Sequence, residues 1–189
     1  MTVRSLQTPF RAGLRWLLIT TIALLLGIMT VQVVMRYGFN SSLLWAEEMC
    51  RYLLIWLSFL AVVLAYERGE IAALTFLSER LARVPALLLY ALTTAMSLGL
   101  CLLLVRYGWV FAERAGGANI PAMRFILDDI FGPGAVEPPT SFWVYIALPV
   151  GMALLALRLA ADLVACIAAI PAGRTLAQAI DPGARGATQ

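Results

Sequence analysis

Leu44-Trp45-Ala46-Glu47-Glu48-Met49-Cys50-Arg51-Tyr52 opens the stretch whose reading decides the fold. From Met49 the chain runs to Tyr66 with Arg51 as its only charge, and Glu67-Arg68-Gly69-Glu70 then ends the run. At 1.5 Å per residue, a helix over 43–66 is long enough to cross a hydrocarbon core of about 30 Å. Asn40, Ser41 and Ser42 supply helix-capping side chains just before it, and Glu47 and Glu48 fall early in the helix, where its dipole favours negative charge.

Working outward, three more apolar runs have the same character. Residues 14–35 carry no charge beyond Arg15 and only Gln32 as a polar amide, and 84–106 begins with Pro85, suited to a first helical turn. Residues 142–165 form the last run, with Arg158 and Asp162 four residues apart, close enough to pair on one helix face. The first run exceeds the usual signal-peptide core of about 7–15 apolar residues and no A-x-A site follows it, so it reads as a retained span. Composition agrees. Of 189 residues, 62% are hydrophobic, against about 45–50% in soluble domains, and mean hydropathy is +0.87. A water-soluble domain of this size cannot hide that surplus. The expected fold class is an all-α integral membrane protein with four transmembrane helices in one membrane domain.

Between the second and third spans, Ile71, Leu74, Leu77 and Leu81 recur at helical spacing among Thr75, Ser78, Glu79, Arg80 and Arg83. That pattern predicts an interfacial amphipathic helix over 71–83, too charged to span. A solvated connector with a chance stripe is the alternative. A break over 115–140 is punctuated by Gly116-Gly117, Pro121, Gly132-Pro133-Gly134 and Pro138-Pro139, with a short helix expected over Met123–Phe131. The tail over 171–189, rich in Gly, Ala and Pro, is expected to fray.

All 14 basic residues are arginine. With four spans, nine fall on the side of the termini (4, 11, 15, 68, 80, 83, 158, 174, 185) and five on the other (36, 51, 106, 114, 124), which predicts cytoplasmic termini. The loop over 115–140 then faces outward. The arginines are scattered, so a net charge of +3 is no nucleic-acid footprint. With no histidine and three isolated cysteines (Cys50, Cys101, Cys166), His-ligated metal or haem sites, His-based acid–base catalysis and cysteine-pair redox chemistry are excluded. No cofactor and no enzymatic activity are expected.

The densest polar cluster lies at the start of the second span. Arg51 is four residues from Glu47 and three from Glu48, so either carboxylate can reach the guanidinium, leaving the other for a second helix or subunit. An ion or proton relay needs a second charged span to carry it on, so a structural pair is the simpler reading. Trp45, Tyr52, Trp56 and Phe59 form an aromatic strip on the same helix, fit for packing, lipid contact or a flat cofactor.

The order of these features resembles the small membrane subunit of tripartite ATP-independent periplasmic (TRAP) transporters. The resemblance is carried by Leu44-Trp45-Ala46-Glu47-Glu48, Arg51-Tyr52, Trp56 and Phe59-Leu60. It continues through Ala65-Tyr66-Glu67-Arg68-Gly69-Glu70-Ile71 and closes with Trp143-Val144-Tyr145-Ile146-Ala147-Leu148-Pro149-Val150-Gly151. Two departures stand out. Glu70 occupies a place where the family commonly has histidine, and the loop around 128–139 is longer than usual.

The resemblance implies a multi-pass scaffold in a bacterial inner membrane. Such a subunit braces a large multi-span subunit that holds the substrate and sodium sites. It also helps dock a periplasmic substrate-binding protein that delivers an organic acid for secondary active symport. Trp45, Glu47, Glu48, Arg51, Tyr52, Trp56, Arg68, Gly69 and Glu70 would then be structural or interface residues, and Arg124, Asp128 and Asp129 would mark the docking loop. Other classes compatible with the residues alone are a four-helix membrane enzyme or redox protein and a stand-alone small transporter.

Overall fold

The computed structural model describes residues 4–41, 43–67 and 83–169. They form six helices: α1 (Arg4–Gly38), α2 (Leu44–Glu67), α3 (Arg83–Ala115), α4 (Pro121–Phe131), α5 (Phe142–Tyr145) and α6 (Ala147–Ala169). Among the described residues the only β pairing is an isolated bridge between Asn119 and Thr140. Four stretches are long and apolar enough to cross a bilayer: Ala12–Gly38, Leu44–Tyr66, Val84–Ala115 and Phe142–Ala169. The chain is an all-helical, multi-pass membrane protein. The expected amphipathic stretch 71–83, the turn residues Arg68, Gly69 and Glu70, and the tail 171–189 lie outside the described residues.

Each helix follows from its sequence. In α1, from Ala12 on, the buried or half-buried residues are Leu14, Leu18, Thr21, Leu25, Ile28, Gln32 and Met35. Steps of four and three repeat without a slip, the spacing of a coiled-coil seam. Hydroxyls inside apolar helices are absorbed by their own backbone: Thr21 donates to Leu17 O, Thr30 to Leu26 O and Ser58 to Leu54 O, each at 2.8 Å. The last span is interrupted at Ile146. Pro149 has no N–H for the Tyr145 carbonyl, and its ring crowds that carbonyl, so the helix breaks one turn before the proline and resumes with Val150 N donating to Ile146 O at 3.1 Å.

By contacts the chain divides into two compact units, each taken by itself: Met1–Leu64 with Arg106–Gly151, and Ala65–Val105 with Met152–Gln189. In the first unit, the Cys50 thiol lies 4.0 Å from Leu25 O, joining α2 to the seam of α1. Gly151 lets α6 meet α2, since a Cβ there would stand 2.7 Å from Phe59 Cβ and 3.1 Å from Phe59 O. Edge-to-face ring pairs, Trp109 with Phe142 and Phe111 with Tyr145 at 6.1 and 5.2 Å between centroids, join α3 to α5. In the second unit, Leu87, Cys166 and Ala169 form one buried cluster with Tyr90 and Ala91 against it. Cys101, Ala156 and Leu159 form another, flanked by Tyr66, Leu98, Met152 and Leu155. All three cysteines are buried and unpaired, as small apolar packers should be.

Candidate functional site

The charged start of α2 divides its two carboxylates between different tasks. Glu47 takes the arginine, with Arg51 Nη2 donating to Glu47 Oε1 at 3.1 Å. That pair is 67% and 73% exposed on its two side chains. Glu48 turns the other way and is half-buried. Its Oε1 accepts from the Tyr52 hydroxyl, and its Oε2 accepts from Ala122 N–H at 2.8 Å, across 74 residues of sequence.

The local sequence explains why α4 needs this carboxylate. Ile120 stands at its N-cap without a side chain that can accept, and Pro121 at the first helical position has no N–H. Ala122 therefore carries the first orphan donor of the helix, and a carboxylate there also meets the positive end of the helix dipole. Ile120, Ala122 and Val144 are buried together against Trp45, Met49, Tyr52, Ile55 and Met123. Three hydrogen bonds zip the two ends of the loop: Ile120 N to Pro139 O at 3.0 Å, Ser141 N to Ala118 O at 2.7 Å and Phe142 N to Gly116 O at 3.1 Å. Trp56 is used separately, its Nε1 donating to Trp143 O at 3.1 Å.

The acidic residues of the loop are partly consumed within it. Asp128 Oδ2 lies 3.7 Å from Arg124 Nε, and Asp128 Oδ1 accepts from Gly134 N at 3.1 Å. Gly132 and Gly134 have φ of 92° and 74°, so the turn after α4 needs glycine at both places. Asp129 is exposed.

The second unit holds a further polar cluster. Asp162 is buried at 8% exposure inside an apolar helix. Its Oδ2 accepts from the Tyr66 hydroxyl at 3.0 Å, 96 residues away. Its Oδ1 lies 3.7 Å from Arg158 Nη2, in a pair only 18% and 10% exposed. Tyr90 interacts with Tyr66, Asp162 and the buried Thr94. The Arg158 Nε is buried with no acceptor among the described residues.

This helical frame, with its charged α2 start, matches a family model over residues 25–169, more than three quarters of the chain: tripartite ATP-independent periplasmic transporters, DctQ component. The chain belongs to the DctQ family. Its relatives include a TRAP transporter small permease protein of Haemophilus influenzae, 36% identical over 57% of this chain and 67% of the relative. The C4-dicarboxylate TRAP transporter small permease protein DctQ of Vibrio cholerae is 31% identical over 72% of this chain and 65% of the relative. The sialic acid TRAP transporter small permease protein SiaQ of the same organism is 25% identical over 72% and 70%. The chain thus matches about two thirds of the length of each. The DctQ family consists of transporter permease subunits and not of enzymes.

Within this DctQ chain, Trp45, Glu48 and Tyr52 come together around the start of α4, and Glu47 and Arg51 pair on the surface beside them. Arg124 and Asp128 meet on α4. Sequence reasoning missed Tyr66, Tyr90 and Asp162 as one group. The available signal was a carboxylate inside an apolar run, which demands a partner beyond its own helix.

Proposed function

We propose that the chain is the scaffold subunit of a TRAP transporter in a bacterial inner membrane, with both termini cytoplasmic. It braces a large multi-span transport subunit and helps dock a periplasmic substrate-binding protein for sodium-coupled uptake of an organic acid. The observation that carries this reading is the family match over residues 25–169. Two features support it. Only 6–28% of each spanning window is buried within the chain, leaving apolar helix faces for a partner or lipid. The two relatives whose names state a substrate name C4-dicarboxylate and sialic acid, both carboxylic acids.

In this reading Trp45, Glu47, Glu48, Arg51, Tyr52 and Trp56 fix α2 and its neighbours for assembly. Arg68, Gly69 and Glu70 would join them as structural or subunit-interface residues. Arg124, Asp128 and Asp129 belong to the docking loop. The test is purification of the tagged chain from its native membranes in mild detergent. A multi-span membrane subunit should accompany it, and the pair, supplied with its binding protein and a sodium gradient, should transport when reconstituted while this chain alone does not. Isolation of the chain without such a subunit, or transport by the chain alone, overturns the proposal.

A further inference from the structure

Arg158 is a cation inside an apolar span, and a guanidinium carries five N–H donors. Its Nε is buried with no acceptor among the described residues. Its Nη2 stands 3.7 Å from Asp162 Oδ1, an ion pair longer than a hydrogen bond. Asp162 is engaged from another side as well, since Tyr66 donates to its Oδ2 at 3.0 Å. Asp162 therefore balances the charge of Arg158 without meeting its hydrogen-bonding capacity.

Lipid is badly placed to supply the missing acceptor. Arg158 lies three helical turns before Ala169, the end of α6, about 16 Å along the axis at 1.5 Å per residue. Between the two, Val164 and Ile167 are 67% and 55% exposed, so acyl chains still suit the helix surface there. An arginine that reaches headgroups stretches out along its helix. This one is folded beside Asp162, with its side chain only 18% exposed. Acyl chains carry no acceptor, so an unmet donor at this depth calls for a neighbouring span.

The face beside Arg158 admits one. Ala161 and Ala165, three and seven residues on, lie on the same side of α6. Ala161 is exposed and Ala165 half-buried. Small side chains there let a second helix come close enough for a direct hydrogen bond. Charge balance selects its chemistry. Arg158 and Asp162 already cancel, so a second carboxylate would leave a net negative charge among the spans. A hydroxyl, a side-chain amide or a carbonyl freed by a helix break adds none.

We propose that Arg158 donates to a neutral oxygen on a span of the large transport subunit, which packs along Ala161 and Ala165. This rests on the subunit reading above and names a contact within it.

The experiment uses the tagged chain expressed with its large subunit and extracted in mild detergent. Arg158→Leu combined with Asp162→Leu removes the cation and its counter-charge together. Recovery of the large subunit should then fall about tenfold, the weight of one hydrogen bond to a charged group. Arg158→Lys keeps the charge balance and loses the planar fork. Recovery should fall less, while the thermal midpoint of the isolated chain stays near that of the parent. In the complex, a photo-reactive benzoylphenylalanine in place of Ala161 should cross-link to the large subunit. The linked segment should carry a hydroxyl, an amide or a helix break and no acidic residue. Undiminished recovery with both variants overturns the proposal. So does a midpoint that drops as far in the isolated Arg158→Lys chain as in the complex, which would put the acceptor inside this chain. Cross-links only to lipid, only within the chain or to an acidic segment overturn it too. If the parent chain itself brings no large subunit, the subunit reading fails. If the parent brings it and the variants bring as much, this contact alone fails.

Discussion

Glu48 and Asp162 are both carboxylates on helices that cross the membrane, and each is reached from a distant segment. Their company differs. Glu48 accepts from a tyrosine hydroxyl and a backbone N–H, while its near cation, Arg51, bonds to Glu47. Asp162 accepts from a tyrosine hydroxyl and stands beside Arg158, whose Nε is buried without an acceptor among the described residues. The first carboxylate fastens a helix end. The second keeps an arginine tolerable inside an apolar span. Removing the first should loosen a loop, and removing the second should leave a charge stranded.

The largest expected effect tests the second half of that contrast. Asp162→Ala should destabilise the purified protein by about 3 kcal/mol, the scale for breaking one side of a buried ion pair. Arg158→Leu combined with Asp162→Leu should cost clearly less, because no lone charge remains. Denaturation midpoints of the two variants in detergent decide the matter, and equal losses would show that Tyr66 and not Arg158 sets the role of Asp162.

Next comes the contact that neither carboxylate makes. Gly151→Val places carbon where Phe59 already stands, and should cost about 1–3 kcal/mol by overpacking. Thermal unfolding of that variant, compared with Asp162→Ala, ranks shape against charge. A Gly151→Val protein as stable as the parent would mean that α2 and α6 can part there without loss.

Glu48→Ala should cost about 1–2 kcal/mol, the value of a lost helix cap. The loss should be local, read as faster amide hydrogen exchange over 121–131 with little change over 152–169. Glu48→Gln keeps an acceptor and loses only the charge, so it should retain most of the protection. If alanine and glutamine exchange alike, charge against the helix dipole, and not the hydrogen bond, is what holds α4.

These ranks also explain what was legible beforehand. Four spans could be read because length and apolarity are local properties, and two of the i,i+4 pairs, Glu47–Arg51 and Arg158–Asp162, follow from helical spacing alone. A short helix was expected from Met123, and it begins at Pro121 because proline is acceptable where the first N–H is orphaned anyway. What spacing cannot supply is the register between helices. Glu48 finding Ala122 and Tyr66 finding Asp162 depend on how segments 74 and 96 residues apart slide past each other. Packing details such as Phe59 against Gly151 set that slide, and no run of residues displays them.

The smallest effect separates an ion pair that is seen from one that matters. Glu47 and Arg51 make the shortest side-chain salt bridge described, at 3.1 Å, yet both are mostly exposed in the isolated chain. A pair in that setting is worth about 0–1 kcal/mol. Arg51→Ala should therefore leave the unfolding midpoint of the isolated subunit almost unchanged, because Glu48 keeps Tyr52 and Ala122 whether or not Arg51 is present. The same substitution in the assembled transporter is the sharper measurement. If a partner helix covers this face, Glu47 is then desolvated without its cation, and co-purification of the large subunit should fall while the isolated chain stays stable. Equal recovery of the complex from both proteins would place Glu47 and Arg51 outside the interface and leave Glu48 as the member of the charged cluster that does structural work.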